Sequence, residues 1–412
     1  MRRTLIISAI AITIIGIGLF VYFYFFANEN GVVVAPGNVS FPIAGQGTTT
    51  PVNGNFIATT SIPVSVTAKL VKISSGPVVP GEVVVNIPAE NASSSPTSTT
   101  LSTGKIAVKY IERQSGNVYS YDIHSGIPTR TSNKTIPGIQ SASWLPDASL
   151  VFVRYLSGED FSTINTYSLP SNVSDDLSSD RQGFFLPQNL VDISVSPTNL
   201  LVLASGVNGS VASTENIDGT HMSEVFTTPL SSLRVSFAGK NQYLAFTKPS
   251  STLAGDAFLV NNSGHFFRIA GPNNGLVAVS SPSGEWVLVS YTQDTVMQME
   301  LVNTSTGDTI QLPVSTIADK CVWTNDESSI YCGVPANPPS DYSYPDDWYQ
   351  GVVHFSDRIW KIDVGGRYAQ LVLDFPKETK GSLDAEALAI DSLNTTLVFV
   401  NKNDSSLWVY SL

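Results

Sequence analysis

Cysteine and histidine are scarce in this sequence. Its 412 residues include two cysteines, Cys321 and Cys332, and four histidines that stand singly along the chain. This scarcity excludes a disulfide-rich miniprotein and any multi-cysteine zinc module, and no HxH or HExxH spacing occurs. The sequence therefore predicts neither a metal site nor a cofactor.

Charged residues are also few, at 14% of the chain, and acidic residues dominate them. The 22 Lys and Arg against 34 Asp and Glu give a formal net charge of −12. Because nucleic-acid binding requires a basic surface, we expect no nucleic-acid partner. Apolar residues make up 42% of the chain, which is enough for a large core in two average domains or in one large β domain.

An uncharged, strongly apolar stretch follows Arg2 and Arg3 at the N-terminus. Leu5 to Ala27 would extend about 34 Å as a helix, which is sufficient to cross a bilayer, and the stretch ends in a run of aromatic residues. The pattern predicts a transmembrane signal-anchor helix within residues 1–27, with a cytoplasmic N-terminus and the rest of the chain outside. A long, cleaved signal peptide is the alternative. Residues 28–65, rich in Gly, Pro, Ser and Thr, are predicted to be a flexible linker.

A repeated phrase organises residues 66–412. It consists of an apolar strand, a polar hairpin tip and a strongly apolar strand, as in residues 142–153, 193–203, 235–246, 278–289, 321–331 and 388–399. A third, alternating strand follows most copies, and a weaker fourth strand follows several. Four short strands at a spacing of about 43 residues are typical of a β-propeller blade.

The ends of this region set the predicted number of blades. Residues 83–87, 105–110 and 118–122 supply a further blade, which makes seven, with the low-complexity run 91–104 as an exposed loop. Six or eight blades are also compatible with the pattern, because one spacing between phrases is much longer than the others. The last blade lacks an outer strand, and we expect residues 68–73 to supply it beside residues 407–411.

The phrases at Trp144-Leu-Pro-Asp147 and Ser281-Pro-Ser-Gly284 resemble the WD40-like repeats of the TolB propeller. Asn216-Ile-Asp-Gly-Thr220 fits the same pattern, and the repeat also resembles that of dipeptidyl-peptidase IV N-terminal propellers. The resemblance covers roughly residues 66–412. It implies a binding or scaffolding propeller outside the cytoplasm, and it carries over no catalytic residue.

The two cysteines are expected to face each other across one hairpin. If Trp323 pairs with Ile330, then Cys321 lies directly opposite Cys332, near the distance that a disulfide needs. An oxidising compartment would preserve that bond. Two buried free thiols are the alternative.

The longest insertion lies between the second and third strands of the sixth blade, at residues 335–357. Loops of this kind share a face with the crossovers between blades. Rigid aromatic rings beside carboxylates are suited to stacking on a sugar or gripping a peptide, so the predicted ligand-binding residues are Tyr342, Tyr344, Asp346, Asp347, Trp348 and Tyr349. The alternative is that these side chains pin the loop onto the propeller.

No catalytic motif occurs in the chain: a G-x-S-x-G elbow, a Walker loop, a G-x-G-x-x-G turn and a calcium loop are all missing. We therefore predict that the protein is not an enzyme, but a membrane-anchored extracytoplasmic module that binds a protein or a cell-envelope polymer. Two alternatives stay open. A propeller hydrolase or lyase acting on glycans would cluster carboxylates at the channel mouth, whereas a structural spacer would have no aromatic or acidic cleft.

Overall fold

The computed structural model describes residues 69–87, 105–171 and 183–412, which belong to one compact unit, Val66–Leu412. The predicted signal-anchor helix, the linker and the loop at 91–104 lie outside these residues. Among the residues described, no helix has the length and apolar character needed to span a membrane.

The described chain forms seven antiparallel blades, each a meander of neighbouring strands. The strands of blades 1 to 3 are, in chain order, β2 Val83–Ile87, β3 Lys105–Ile111, β4 Val118–Asp122, β5 Ile127–Arg130; β6 Ile139–Trp144, β7 Leu150–Ser157, β8 Thr163–Pro170; β9 Leu190–Val195, β10 Asn199–Gly206, β11 Gly209–Asn216 and β12 Ser223–Thr228. Among the described residues, which omit 172–182, blade 2 has three strands and a single bridge between Tyr167 and Phe185 at its outer side.

Blades 4 and 5 form one continuous sheet because they share a strand. Their strands are β13 Leu233–Ala238, β14 Gln242–Thr247, β15 Ala254–Asn261, β16 Phe266–Ser280, β17 Trp286–Gln293, β18 Val296–Asn303 and β19 Thr309–Gln311. The 15-residue β16 is the outer strand of blade 4 in its first part and the inner strand of blade 5 in its last. Asn274 pairs with Ala254 on one side and with Thr292 on the other.

Blades 6 and 7 complete the ring. Their strands are β20 Cys321–Trp323, β21 Ser329–Pro335, β22 Asp357–Asp363, β23 Tyr368–Asp374; β24 Ala385–Ile390, β25 Thr396–Asn401, β26 Ser406–Ser411 and β1 Leu70–Lys72. Three short helical segments occur in the connections: η1 Ala318–Lys320, α1 Asp346–Tyr349 and α2 Phe375–Thr379. The prediction of an all-β, seven-bladed propeller is confirmed.

Blade 7 takes its outer strand from the beginning of the described chain. Leu70, Val71 and Lys72 pair antiparallel with Tyr410, Val409 and Trp408. The backbone amide of Ile73 also donates to the carbonyl of Leu407 at 2.9 Å. The edge of β26 is thereby hydrogen-bonded, and the three-residue β1 replaces it as the outer strand of blade 7.

The core is distributed between the blades. Val398, Val400 and Val409 of blade 7 pack against Val84 and Val108 of blade 1, and equivalent apolar layers join the other neighbouring blades. Each central strand therefore has two buried faces, which explains the runs of apolar residues in β7, β10, β17 and β25.

Four hairpin tips share one backbone geometry. At the same position of the repeat, four residues after the last residue of the first strand, φ is positive: 54° at Ala148, 80° at Gly284, 57° at Glu327 and 58° at Asn394. In each tip this residue donates its amide to the carbonyl three residues earlier. A type I turn followed by a left-handed residue has this geometry. The hairpin tips, which make the repeat recognisable in the sequence, therefore serve to turn the chain between the first and second strands.

The predicted register of the cysteine hairpin is confirmed. Trp323 pairs with Ile330 and Cys321 with Cys332, and the two cysteines form a disulfide with a Cα–Cα distance of 4.1 Å. The bond connects the first and second strands of blade 6, whose buried first strand has only three residues.

Candidate functional site

The first strand of each blade lies next to the central channel. First strands of neighbouring blades contact one another, as β9 and β13 do, and likewise β2 and β24, and β20 and β24. Each first strand begins on the face that carries the crossovers between blades, and the hairpin tips lie on the opposite face. A side chain at the start of a first strand therefore stands at the mouth of the channel on the crossover face.

The inserted loop, residues 336–356, crosses this face and bonds to several blades. The Asp346 carboxylate accepts hydrogen bonds from the amide and hydroxyl of Ser251 in blade 4, at 3.0 and 2.7 Å. The Thr292 hydroxyl of blade 5 donates to the Tyr344 carbonyl at 3.0 Å. Gly275 lies so close to the loop that a Cβ there would meet the Tyr344 carbonyl oxygen at 2.8 Å. The loop is thus fastened across blades 4 to 6.

Most of the six predicted ligand-binding residues make contacts inside the protein. Tyr344 and Trp348 are buried. The Tyr344 hydroxyl donates to the Pro339 carbonyl at 2.6 Å, and Asp347 accepts the Ser343 amide at 2.7 Å, just before α1. Tyr342 is partly buried against the core. These contacts hold the loop in place.

Tyr349 is the most exposed of the six, with 37% of its surface accessible. That these six residues bind a ligand stays a prediction, and the structure adds that Tyr349 is the member placed at the channel.

A buried triad of charges, Lys320, Asp357 and Asp384, anchors the far side of the loop. All three side chains are 0% exposed. The Lys320 Nζ lies 2.9 Å from Asp357 and also donates to Asp384. Asp384 accepts the indole N–H of Trp348 at 3.0 Å and the Phe355 amide at 2.9 Å. The triad therefore connects blades 6 and 7 to the loop.

The channel mouth itself contains an inner charged cluster, Asp192, Arg234, Asp319 and Tyr349. Arg234, the second residue of β13, binds Asp319 through two nitrogen–oxygen contacts of 2.6 and 3.2 Å. The Tyr349 hydroxyl donates to the same Asp319 carboxylate at 2.6 Å. Burial acts to lower the pKa of Arg234, but Asp319, Tyr349 and Asp192 outweigh it and raise that pKa. Arg234 is therefore a fixed cation.

Asp192 forms the opposite side of the cluster. Its carboxylate accepts the amides of Val235 and Ile193, both at 2.9 Å, and so bridges the inner strands of blades 3 and 4. Burial raises its pKa, against the effect of those donors and of Arg234. An open cavity of about 230 Å³ is lined by Asp192, Arg234 and Asp319 together with hydroxyl groups of the inner strands.

An acidic pair, Glu82 and Glu386, lies between blades 7 and 1, at the same end of the inner strands as the inner charged cluster. Glu82 immediately precedes β2 and is 7% exposed, and neither of its carboxyl oxygens has a hydrogen-bond partner among the described residues. Burial, together with the charge of Glu386, raises the pKa of Glu82 well above that of an ordinary glutamate. Glu386 itself pairs with Lys402 at 3.3 Å.

Sequence reasoning missed these residues, although a signal was present. Asp192 and Arg234 interrupt inner strands that are otherwise apolar or carry small hydroxyl residues, and charged residues are seldom buried without a partner. A charged residue in such a strand marks the position of a polar site, but it does not reveal which residue pairs with it. Within residues 69–87, 105–171 and 183–412, no group of three or more His, Cys, Asp and Glu is arranged to hold a metal ion.

Comparison with solved structures shows what the fold is similar to. An oligogalacturonate lyase from Vibrio parahaemolyticus matches 84% of this chain and 94% of its own, with a TM-score of 0.52 at 9% identity. A second oligogalacturonate lyase, in complex with manganese, matches 75% of this chain and 86% of its own, with a TM-score of 0.49 at 9% identity. TolB from Acinetobacter baumannii matches 65% of this chain and 63% of its own, with a TM-score of 0.42 at 12% identity.

No protein-family model matches the sequence, and no curated protein matches it significantly. At these identities the likeness shows the fold alone, and for the fold the resemblance to TolB-type propellers is confirmed.

The same comparison overturns the prediction that the protein is not an enzyme. That prediction depended on the absence of catalytic motifs, yet a lyase has this fold over most of both chains. The physical reason is that a propeller assembles its channel mouth from residues of different blades, so its site leaves no local motif. This chain is a seven-bladed β-propeller, similar in fold to an oligogalacturonate lyase, and its crossover face carries a polar, partly buried channel mouth.

Proposed function

We propose that this protein binds a protein or a cell-envelope polymer at the channel mouth of its crossover face. The observation that supports this most directly is the inner charged cluster, in which Arg234, Asp319 and Tyr349 bond to one another beside an open cavity of about 230 Å³. Burying such charged groups costs free energy, and well-packed apolar residues in their place would stabilise the fold equally well. A role in recognition accounts for their presence.

The proposal includes a location. The aromatic-ended apolar stretch within residues 1–27 and the preceding arginines favour a single membrane anchor with the propeller outside the cytoplasm. The Cys321–Cys332 disulfide agrees with an oxidising compartment. In this arrangement, residues 28–65 form a linker that connects the membrane anchor to the propeller, and the propeller binds a partner in the envelope. Protease treatment of intact cells tests this, because an external propeller is degraded whereas a cytoplasmic one is protected.

The binding proposal is tested with the full chain in detergent micelles, used to capture cross-linked partners from an envelope extract of the source organism. Tyr349→Ala removes a partly exposed ring from the channel mouth. Lys240→Ala changes an exposed residue at a hairpin tip on the opposite face and serves as the matched control. We expect a partner that wild type and Lys240→Ala retain and Tyr349→Ala loses. Equal capture by all three proteins would contradict the proposal.

A second candidate function is a hydrolase or lyase acting on glycans. It is favoured by Asp192 and Glu82, two channel-mouth carboxyl groups whose pKa values burial raises. A raised pKa keeps a carboxyl group protonated closer to neutral pH, as a general acid requires. The test is incubation with envelope and plant polysaccharides, measuring new reducing ends and unsaturated products. Activity that Asp192→Asn or Glu82→Gln abolishes supports this candidate, and no product from any polysaccharide argues against it.

A further inference from the structure

A second cavity lies away from the channel, between blades 5 and 6 on the crossover face. Its volume is about 430 Å³, which is within the usual range of small-molecule sites. The starts of two third strands, β18 and β22, and the proline-rich first half of the inserted loop form its walls. Most of the lining is apolar, including Val296, Met297, Val314, Pro338, Pro339 and Trp360. We call this cavity the blade 5–6 pocket.

Arg358 is the charged residue among those that line the pocket. Its Nε lies 3.4 Å from an Asp374 carboxylate oxygen, and the Lys377 Nζ lies 3.3 Å from the same oxygen. Two cations thus share one anion, which leaves a local charge of +1 on a protein whose net charge is −12. Arg358 makes no hydrogen bond to any other described residue, and its side chain is 39% exposed. Because its Nε is buried and faces Asp374, the two terminal nitrogens of the guanidinium are the donors left for a ligand.

Trp360 supplies a flat surface beside this cation. It is two residues from Arg358 on β22, so both side chains lie on the same face of the strand, and both line the pocket. Its indole N–H bonds to no other residue in the described ranges. The Tyr344 ring also lines the pocket, but its hydroxyl already donates to the Pro339 carbonyl at 2.6 Å. The pocket thus offers one cationic fork, one aromatic plane and apolar walls.

We propose that the blade 5–6 pocket binds an organic carboxylate with a flat or apolar body. The carboxylate accepts two parallel hydrogen bonds from the N–H groups of Arg358, and the body of the ligand lies against Trp360, Pro338 and Pro339. Arginine is suited to this role because its guanidinium matches a carboxylate in a bidentate geometry. A free aromatic acid and the C-terminal residue of a peptide share this chemistry. The site is separate from the channel mouth, so it is independent of the function proposed above.

The experiment is calorimetric titration of the full chain in detergent with three probes. N-acetyl-phenylalanine carries the carboxylate, its amide has the same shape without the charge, and a tetrapeptide ending in a free phenylalanine extends the acid. We expect the acid to bind at least about tenfold more tightly than the amide, because a hydrogen bond to a charged group contributes more than one factor of ten. A tetrapeptide that binds more tightly than the acid identifies a peptide end, and one that binds equally or more weakly identifies a free acid.

Three variants locate the interaction. Arg358→Gln should weaken the acid about tenfold or more while leaving the amide unchanged, so that the two probes become equal. Arg367→Gln removes the same charge from an exposed turn on the opposite face of blade 6 and should change neither probe. Trp360→Leu should weaken both, because both lose the aromatic plane. Equal binding of acid and amide by wild type, equal effects of the two arginine variants, or no binding by any probe would each overturn the proposal.

Discussion

Replacing Lys320 with methionine should destabilise the propeller more than any substitution of a surface lysine. The Lys320 Nζ neutralises part of a fully buried pair of aspartates, lying 2.9 Å from Asp357 and donating to Asp384 and to the Ala385 carbonyl, the latter at 2.9 Å. Methionine has a similar volume but no charge, so two buried carboxylates would lose their counter-ion. Breaking a buried ion pair in this way costs about 3–5 kcal/mol at neutral pH.

The size of this effect should depend on pH. Burial raises the pKa of Asp357 to about 6, against the lowering effect of Lys320. A folded-state pKa above the unfolded value means that the group stabilises the fold at low pH and loses that contribution as the pH rises through about 6. Without Lys320 the pKa of Asp357 rises further, so acidification neutralises the carboxyl group. The deficit of the variant should therefore shrink between neutral pH and about pH 5.

The assay is urea unfolding followed by tryptophan fluorescence, at neutral pH and at about pH 5. The matched control is Lys72→Met, which removes an ion pair of 3.2 Å to Asp404 in which both side chains are about half exposed, at 44% and 49%. That change should cost no more than about 1 kcal/mol. Two results would refute the reasoning: equal midpoints for Lys320→Met and Lys72→Met, or a deficit of Lys320→Met that grows on acidification.

Three further substitutions test the fold. Val71→Pro should lower the unfolding free energy by about 1–3 kcal/mol, because proline removes an amide from the pairing of β1 with β26; circular dichroism on heating measures this, and an unchanged midpoint would contradict the role of β1. Replacing both Cys321 and Cys332 by serine opens a loop with a sequence separation of 11 and should cost about 2–3 kcal/mol, measured against wild type with and without reductant. Reductant should not affect the serine variant. Gly81→Ala should cost about 3 kcal/mol, since φ there is 100° and the new Cβ would lie 2.0 Å from the Ala142 carbonyl oxygen; a smaller loss would mean that blades 1 and 2 separate easily.

The strands and their grouping were predictable because their signals are local. Alternation of side chains, hairpin tips and a repeating length lie within single blades, so β2, β3 and β4 correspond closely to the segments predicted from the sequence. The continuity of β16 was not predictable in this way. Its middle, Gly271-Pro272-Asn273-Asn274-Gly275, has the composition of a turn, yet the strand passes through it with φ values of 103° at Gly271 and 65° at Gly275.

The channel mouth was less predictable because its members are far apart in the sequence. Arg234 and Asp319 are 85 residues apart, and the packing of blades 4 to 6 around the channel brings them together. The inserted loop shows the opposite case. Its aromatic residues attract attention in the sequence, but Trp348 donates its indole N–H to the buried Asp384, a partner that the sequence does not reveal. Composition identifies side chains able to bind, and packing decides which of them are already engaged.

The strand shared by blades 4 and 5 has a mechanical consequence. The other described crossovers are loops or short helical turns, whereas β16 keeps backbone pairing on both sides of Asn274. Blades 4 and 5 should then move as a single stiff plate, and elastic deformation of the ring should concentrate at the remaining junctions. Deuterium uptake would report this stiffness as slow exchange around residue 274 and faster exchange in the connection from blade 6 to blade 7.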